Sequence, residues 1–188
     1  MAKDDRVMIF IDGSNFYYGL KATCGTAKID FSRLAEFLCD GRHLIRIYYY
    51  NTPIDREESE SHYKEQQRFF GELDRVPYLQ KRLGTLVKRR VTCKMCRGVY
   101  TRKLQKGVDS LLVTDMLKMA YNDNYDTAIL VSGDADFACA VEAVKDNGQH
   151  VEVASFAAAQ SYQLYQMCDK RIALNRACMT PSLASGSP

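Results

Sequence analysis

Two short polar runs that follow strongly apolar segments carry the carboxylates best placed for chemistry. Ile11 leads into Asp12-Gly13-Ser14-Asn15, and Val131 leads into Ser132-Gly133-Asp134-Ala135-Asp136. A third carboxylate, Asp109, follows Lys106-Gly107-Val108 and falls in the first turn of an expected helix, where the helix dipole stabilises an anion. Carboxylates forced together repel one another and resist ionisation unless a cation neutralises them. Oxygen ligands without a histidine or thiolate nearby suit a hard cation, Mg²⁺ or Mn²⁺, in preference to zinc. Such ions activate water and shield the charge that develops on a phosphate during hydrolysis. The candidate metal ligands are therefore Asp12, Asp109, Asp134 and Asp136, with Asn15 and Ser132 able to orient a water or hold a phosphate oxygen. Turn and cap duty is the competing role for Asn15 and Ser132, and capping is the competing role for Asp109.

A different chemistry is concentrated between Lys81 and Lys106. Ten basic residues (Lys81, Arg82, Lys88, Arg89, Arg90, Lys94, Arg97, Arg102, Lys103, Lys106) occur there with no acidic one. The whole chain is only +3, so the remainder carries −7 and the positive field is local. A field of that kind suits a polyphosphate such as RNA, single-stranded or structured, because neutralised phosphates release counterions. Lys81, Arg82, Lys88, Arg89, Arg90, Arg102, Lys103 and Lys106, with Ser132, are the candidate nucleic-acid contacts; a solvated hairpin that maintains solubility is the alternative. Within the block, Cys93 and Cys96 form a lone CxxC with no second pair at zinc-finger spacing, and His62 and His150 are distant in sequence. The preferred reading is a turn with two free thiols; a metal shared between two copies of the chain stays open. Tyr48, Tyr49 and Tyr50 could stack bases, but alternating strand residues more often enter a core.

The elements that must position these residues follow from periodicity. Arg6 to Ile11 reads as a strand running into a helix over 16–21; a second helix is expected over Phe31 to Cys39 and a strand over Leu44 to Tyr50. A loop from Thr52 to Glu60 feeds an amphipathic helix ending near Arg75, with Tyr63, Gln66, Phe69, Phe70 and Leu73 at helical spacing. The basic block reads as a β-hairpin excursion (about 81–106) with strands over Thr85 to Val91 and Gly98 to Lys103. From Val108 a helix follows whose apolar residues nearly surround it, as for one buried between layers. Asp126 to Ser132 is a continuous apolar strand of the type found in parallel sheets covered on both faces. A helix over Phe137 to Asp146, a strand over Val151 to Ala154, a helix over Ser161 to Cys168 and a short strand over Arg171 to Leu174 complete the domain, leaving 179–188 as a disordered tail.

Strands alternating with helices predict an α/β doubly wound sheet, with its site beyond the carboxyl ends of the strands. With 188 residues, 46% of them hydrophobic, the chain can bury one core. The seven unevenly spaced cysteines suggest reduced thiols, and no membrane span or secretion signal is evident, which predicts a cytoplasmic protein. A homodimer is compatible with the sequence.

The segments IFIDGSNFY, KGVDSLLVTDMLKMA and YDTAILVSGDADFACAVEAVKDNGQHVEV, in that order, resemble the NYN domain family, in particular its LabA-like branch, a relative of the PIN nucleases, over residues 6 to 175. The resemblance implies a PIN-like Rossmannoid three-layer fold with a mostly parallel central sheet. It further implies an acidic, Mg²⁺- or Mn²⁺-dependent endoribonuclease site in which Asp12 and Asn15 follow the first strand, Asp109 is the KGVD aspartate, and Asp134 and Asp136 are the SGDxDF pair. Asp115, six residues beyond Asp109, points to another helix face and is left out. Two other functions compete. One is a catalytically inactive module on the same fold that binds nucleic acid or protein. The other is a phosphohydrolase of the haloacid dehalogenase type, which needs a second acid two residues after its nucleophilic aspartate, where this chain has Ser14.

Overall fold

The computed structural model describes residues 5–57, 59–157 and 161–182; the side chains of residues 89, 100–105 and 181 lie outside that description. β1 (Arg6–Asp12) runs into α1 (Gly13–Cys24), followed by α2 (Phe31–Cys39), β2 (His43–Asn51), α3 (Glu60–Leu73) and β3 (Leu79–Leu83). A hairpin of β4 (Thr85–Thr92) and β5 (Val99–Lys106) intervenes before α4 (Val108–Tyr121) and β6 (Thr127–Val131). A 3-10 turn (Ala135–Phe137) and α5 (Ala138–Asp146) lead to β7 (His150–Phe156), α6 (Tyr162–Met167), β8 (Lys170–Leu174) and α7 (Arg176–Met179). The helix starts follow from side chains that satisfy the first orphan amides: Asp12, Asp30, Ser59, Ser161 and Asn175 all serve as N-caps.

Strands β3-β2-β1-β6-β7-β8 form one six-stranded sheet, and every pairing within it is parallel. This is the expected Rossmannoid architecture, with two cores because a pleated strand sends successive side chains to opposite faces. On one face Val7, Ile9, Ile11, Tyr49 and Ile129 pack under α1, α2 and α3; on the other Met8, Phe10, Tyr48, Tyr50 and Leu130 pack under α4, α5 and α6. All three consecutive tyrosines are thereby buried. From β1 the chain builds outward through β2 and β3, then crosses back to β6, β7 and β8 on its other side. The switch point therefore lies between the carboxyl ends of β1 and β6, where open α/β sheets place their sites.

Three expectations need correction. The basic block is not one hairpin: Lys81 and Arg82 belong to β3, the edge strand of the main sheet, paired in register with Tyr49 and Tyr50. Three of the five residues in LQKRL are polar, which hides a strand from periodicity and is tolerated because an edge strand needs little apolar surface. Helix α4 is buried along one stripe (Leu112, Met116, Met119, Ala120), while Leu111 is exposed, so the helix covers the sheet with its other side in solvent. The chain also stays packed beyond residue 178. Met179 and Ser182 are buried and the Asp30 N–H donates to the Ser182 carbonyl at 2.6 Å, so the apolar Met179 anchors this segment, and only 183–188 fall outside the described residues.

Candidate active site

Asp12 ends β1, is 7% exposed, and has both carboxylate oxygens engaged. The Ser14 and Asn15 N–H groups donate to Oδ1, each at 3.2 Å, and the Ser132 hydroxyl donates to Oδ2 at 3.1 Å. The first two bonds are an N-cap, which fixes the carboxylate over the start of α1. Gly13 makes that turn feasible, because a Cβ there would stand 2.6 Å from both the Tyr49 ring and the Tyr50 carbonyl oxygen.

Across the switch point, Ser132 Oγ also accepts from the Asp134 N–H at 3.2 Å, and the Gly133 N–H donates to Asn15 Oδ1 at 3.2 Å. Asn15 and Ser132 are thus cross-links that hold the two strand ends together. Asp134 caps the 3-10 turn, accepting from the Asp136 N–H at 3.1 Å. Asp109 arrives from elsewhere: Gly107 adopts φ 85°, a left-handed turn open to glycine, and α4 begins at once with Asp109 in its first turn. Asp109 makes no capping bond, since Gly107 is the cap residue.

These carboxylates sense one another. Burial pushes the Asp12 carboxyl above its ordinary value; hydrogen bonds from Asn15 and Ser132 oppose that rise, and the charge of Asp109 adds to it. Asp109 is likewise pushed up, by loss of solvent first and then by the negative charges of Asp134 and Asp136. Among the described residues none of the four forms an ion pair with a lysine or arginine. The structure therefore brings Asp12, Asp109, Asp134 and Asp136 into one field at one sheet edge. Among the described residues they do not form a closed cage: no group of three or more His, Cys, Asp or Glu side chains stands ready to hold an ion. The donor set fits a hard cation bound through one or two carboxylates with most of its water shell kept, as Mg²⁺ commonly is, and does not fit a dehydrated ion.

The basic residues divide into two groups. Lys81 binds Asp74 at 2.7 Å and lies over the Phe70 ring, and Arg82 reaches Asp115 at 3.2 Å and lies over the Tyr48 ring. Lys88 pairs with Asp55 at 3.3 Å and with Glu57. These three are engaged by the protein's own acids from the preceding helix, from α4 and from the 52–59 loop, which sequence spacing could not reveal. Arg90 and Lys106 are exposed and form no ion pair among the described residues, whereas the side chains of Arg89, Arg102 and Lys103 lie outside the description. Asp115, occupied by Arg82 and by the Tyr50 hydroxyl at 3.0 Å, serves the fold on a different face of α4 from Asp109.

The hairpin departs from the site's own edge. The Gly84 N–H donates to the Asn51 carbonyl at 2.8 Å, and a Cβ on Gly84 would stand 2.5 Å from the Val108 side chain. The neighbouring Thr52 hydroxyl is buried without a hydrogen-bond partner among the described residues. Asn51 and Thr52 were not legible as site-edge residues, although a polar pair directly after the strand LIRIYYY was the available signal. Tyr17 and Tyr18, 41% and 70% exposed one turn into α1, were also missed as solvent-facing aromatics beside the edge.

A depression of about 520 Å³ lies at the opposite, amino end of the sheet, lined by Asp5, Asp123, Asp126 and His150. Its acids are already matched by arginines, so it offers no comparable chemistry.

No curated protein matches the chain by sequence. Among solved structures, a protein of unknown function from Vibrio parahaemolyticus superposes with a TM-score of 0.68, covering 93% of this chain and 96% of that one at 19% identity, which establishes the shared fold. The NYN domain matches residues 6–175, and with the parallel sheet and its acidic switch point, the chain belongs to the NYN domain family of PIN-like nuclease folds, consistent with the LabA-like branch.

Proposed function

We propose that the protein is a metal-dependent endoribonuclease acting at the carboxyl edge of its sheet. The observation that carries this reading is that Asp12 faces the charge of Asp109, and Asp109 the charges of Asp134 and Asp136, at the switch point with no ion-pairing cation among the described residues. When bound, Mg²⁺ or Mn²⁺ supplies Lewis-acid polarisation of a phosphate oxygen and a more acidic water. The chain's own residues do the rest. Asp12 is held rigidly by its three hydrogen bonds, so its outward lone pairs keep a fixed direction. Asp109, above its usual proton affinity, can take a proton from an attacking water. Asn15 and Ser132 fix the spacing of the two strand ends. Lys106, three residues before Asp109, and Arg90 further out on the hairpin supply exposed positive charge, and Tyr17 and Tyr18 offer faces on which unpaired bases can stack.

The test uses purified protein and a labelled RNA with Mn²⁺. Asp12→Asn and Asp134→Asn should each abolish cleavage while RNA binding stays within about twofold, since neither removes a positive charge. Cleavage at the wild-type rate in both variants sinks the proposal. The second reading, a module that binds RNA or protein without cutting, is favoured by the lack of a preassembled three-ligand group among the described residues. It predicts salt-dependent RNA binding and no cleavage with any divalent ion. The phosphohydrolase reading lacks its second acid, because Ser14 stands where that acid would be. Trapping with beryllium fluoride would revive it.

A further inference from the structure

The hairpin ends in Cys93-Lys94-Met95-Cys96-Arg97-Gly98, closed by the Cys93 N–H donating to the Gly98 carbonyl at 2.8 Å and the Arg97 N–H to the Cys93 carbonyl at 2.9 Å. Arg97 takes φ 54°, a left-handed turn uncommon for a non-glycine residue. The result is a knuckle. The closed turn holds the two cysteines three residues apart in one short loop at the end of the hairpin. Cysteine binds metal as the thiolate. Gly98 leaves room beside Cys96, where a Cβ would stand 3.3 Å from Sγ.

Two cysteines supply two of the four ligands a tetrahedral thiolate site needs, and no other pair joins them among the described residues. From Thr85 to Val108 there is no further Cys, His, Asp or Glu, and no third ligand joins the pair among the described residues. The tip is open to a partner: Cys96 is exposed, Met95 is 97% exposed and Val99 67%. We propose that the hairpin tip is a zinc half-site completed by the same tip of a second copy, Cys93 and Cys96 of each chain supplying four thiolates around one ion on a twofold axis.

Twofold symmetry makes an isologous contact, so one two-ligand knuckle suffices to fill four positions. Charge accounts for the surroundings. Four thiolates around Zn²⁺ leave a dianion after the thiol protons pass to solvent, and Lys94 and Arg97 from both tips lie beside it as counter-charge. Without the metal, two tips this basic would repel.

The experiment uses the full chain, kept reduced by a phosphine, with zinc or cobalt(II) added alone. Metal analysis and light scattering should find about one zinc per two chains in a dimer, and cobalt should give thiolate charge-transfer bands with a tetrahedral d–d pattern. Cys93→Ser and Cys96→Ser should each lose the metal and the dimer with an unchanged circular dichroism spectrum, because the tip is not part of either core. Cys139→Ser, at another exposed cysteine, should keep both. Failure to bind zinc, one zinc per monomer, a dimer abolished by reductant alone, or a dimer that survives Cys96→Ser would overturn the proposal.

Discussion

The two ends of the parallel sheet treat the same kind of residue in opposite ways. At the amino end, Arg6 binds Asp126 at 2.9 Å and Asp123 at 3.0 Å, while Arg42 binds Glu152 at 2.9 Å and Asp5 at 3.3 Å. Glu152, 7% exposed, receives both guanidinium nitrogens of Arg42 and is also 3.6 Å from Lys170. At the carboxyl end, Asp12 is equally buried, yet among the described residues it faces Asp109 without an ion-paired cation and is held by neutral donors. A fold that needed anions solely for structure would neutralise both ends as it does the first. The contrast separates carboxylates that stabilise the protein from those that strain it, and strain of that sort is characteristic of functional sites.

That contrast can be broken or sharpened by substitution. After the losses expected at Asp12 and Asp134, the largest effect belongs to Asp109→Asn, which should lower Mn²⁺-dependent cleavage at least about 10²-fold, more than the loss of a residue that merely supports a ligand. Cleavage within threefold of wild type would return Asp109 to a capping role. Next is Arg42→Met at the other end, which leaves Glu152 only the longer contact to Lys170 and should cost about 3 kcal/mol in a urea melt with activity per folded molecule unchanged. Mn²⁺ should stabilise the wild-type protein by about 2.7 kcal/mol at a hundredfold excess over its dissociation constant, and the Asp12→Asn/Asp109→Asn protein far less. Equal stabilisation of both would place the ion elsewhere.

The smallest effect is also the most diagnostic. Without metal, Asp109→Asn should raise the melting temperature by on the order of 1–2 °C, because it relieves repulsion from Asp134 and Asp136. Asp12 and Asp109 both have folded-state proton affinities above the ordinary carboxylate value of 3.8. Between that value and their raised folded values the folded chain holds more protons than the unfolded one, so their contribution to stability falls as pH rises. The advantage of Asp109→Asn should accordingly be full at neutral pH and vanish as pH drops through the folded value towards 3.8. An advantage that grew on acidification would mean that Asp109 is a stabilised anion after all.

Much of the fold was legible because its decisive segments are locally unambiguous. RVMIFID and TAILV are unbroken apolar runs with polar turns at their ends, and all but Arg6 of those twelve residues are buried. The cap at Asp12 is equally local, since it joins residues two and three positions apart. Less local features escaped. LQKRL gains strand identity only by pairing with β2, and its Lys81 and Arg82 spend their charge on Asp74 and Asp115. Charge counting registers basic residues but not the acids that a fold brings to them.

What the sequence alone determined is the set of carboxylates and the turns that carry them, because strand propensity, capping and glycine turns act over a few residues. Only the tertiary structure decided that Asp109 shares a field with Asp12, Asp134 and Asp136, that Asn15 and Ser132 bridge two strands, and that part of the basic block is already neutralised. Those outcomes depend on separations of up to 120 residues along the chain, such as Ser132 to Asp12, and Coulomb and hydrogen-bond energies follow distance in space rather than in sequence.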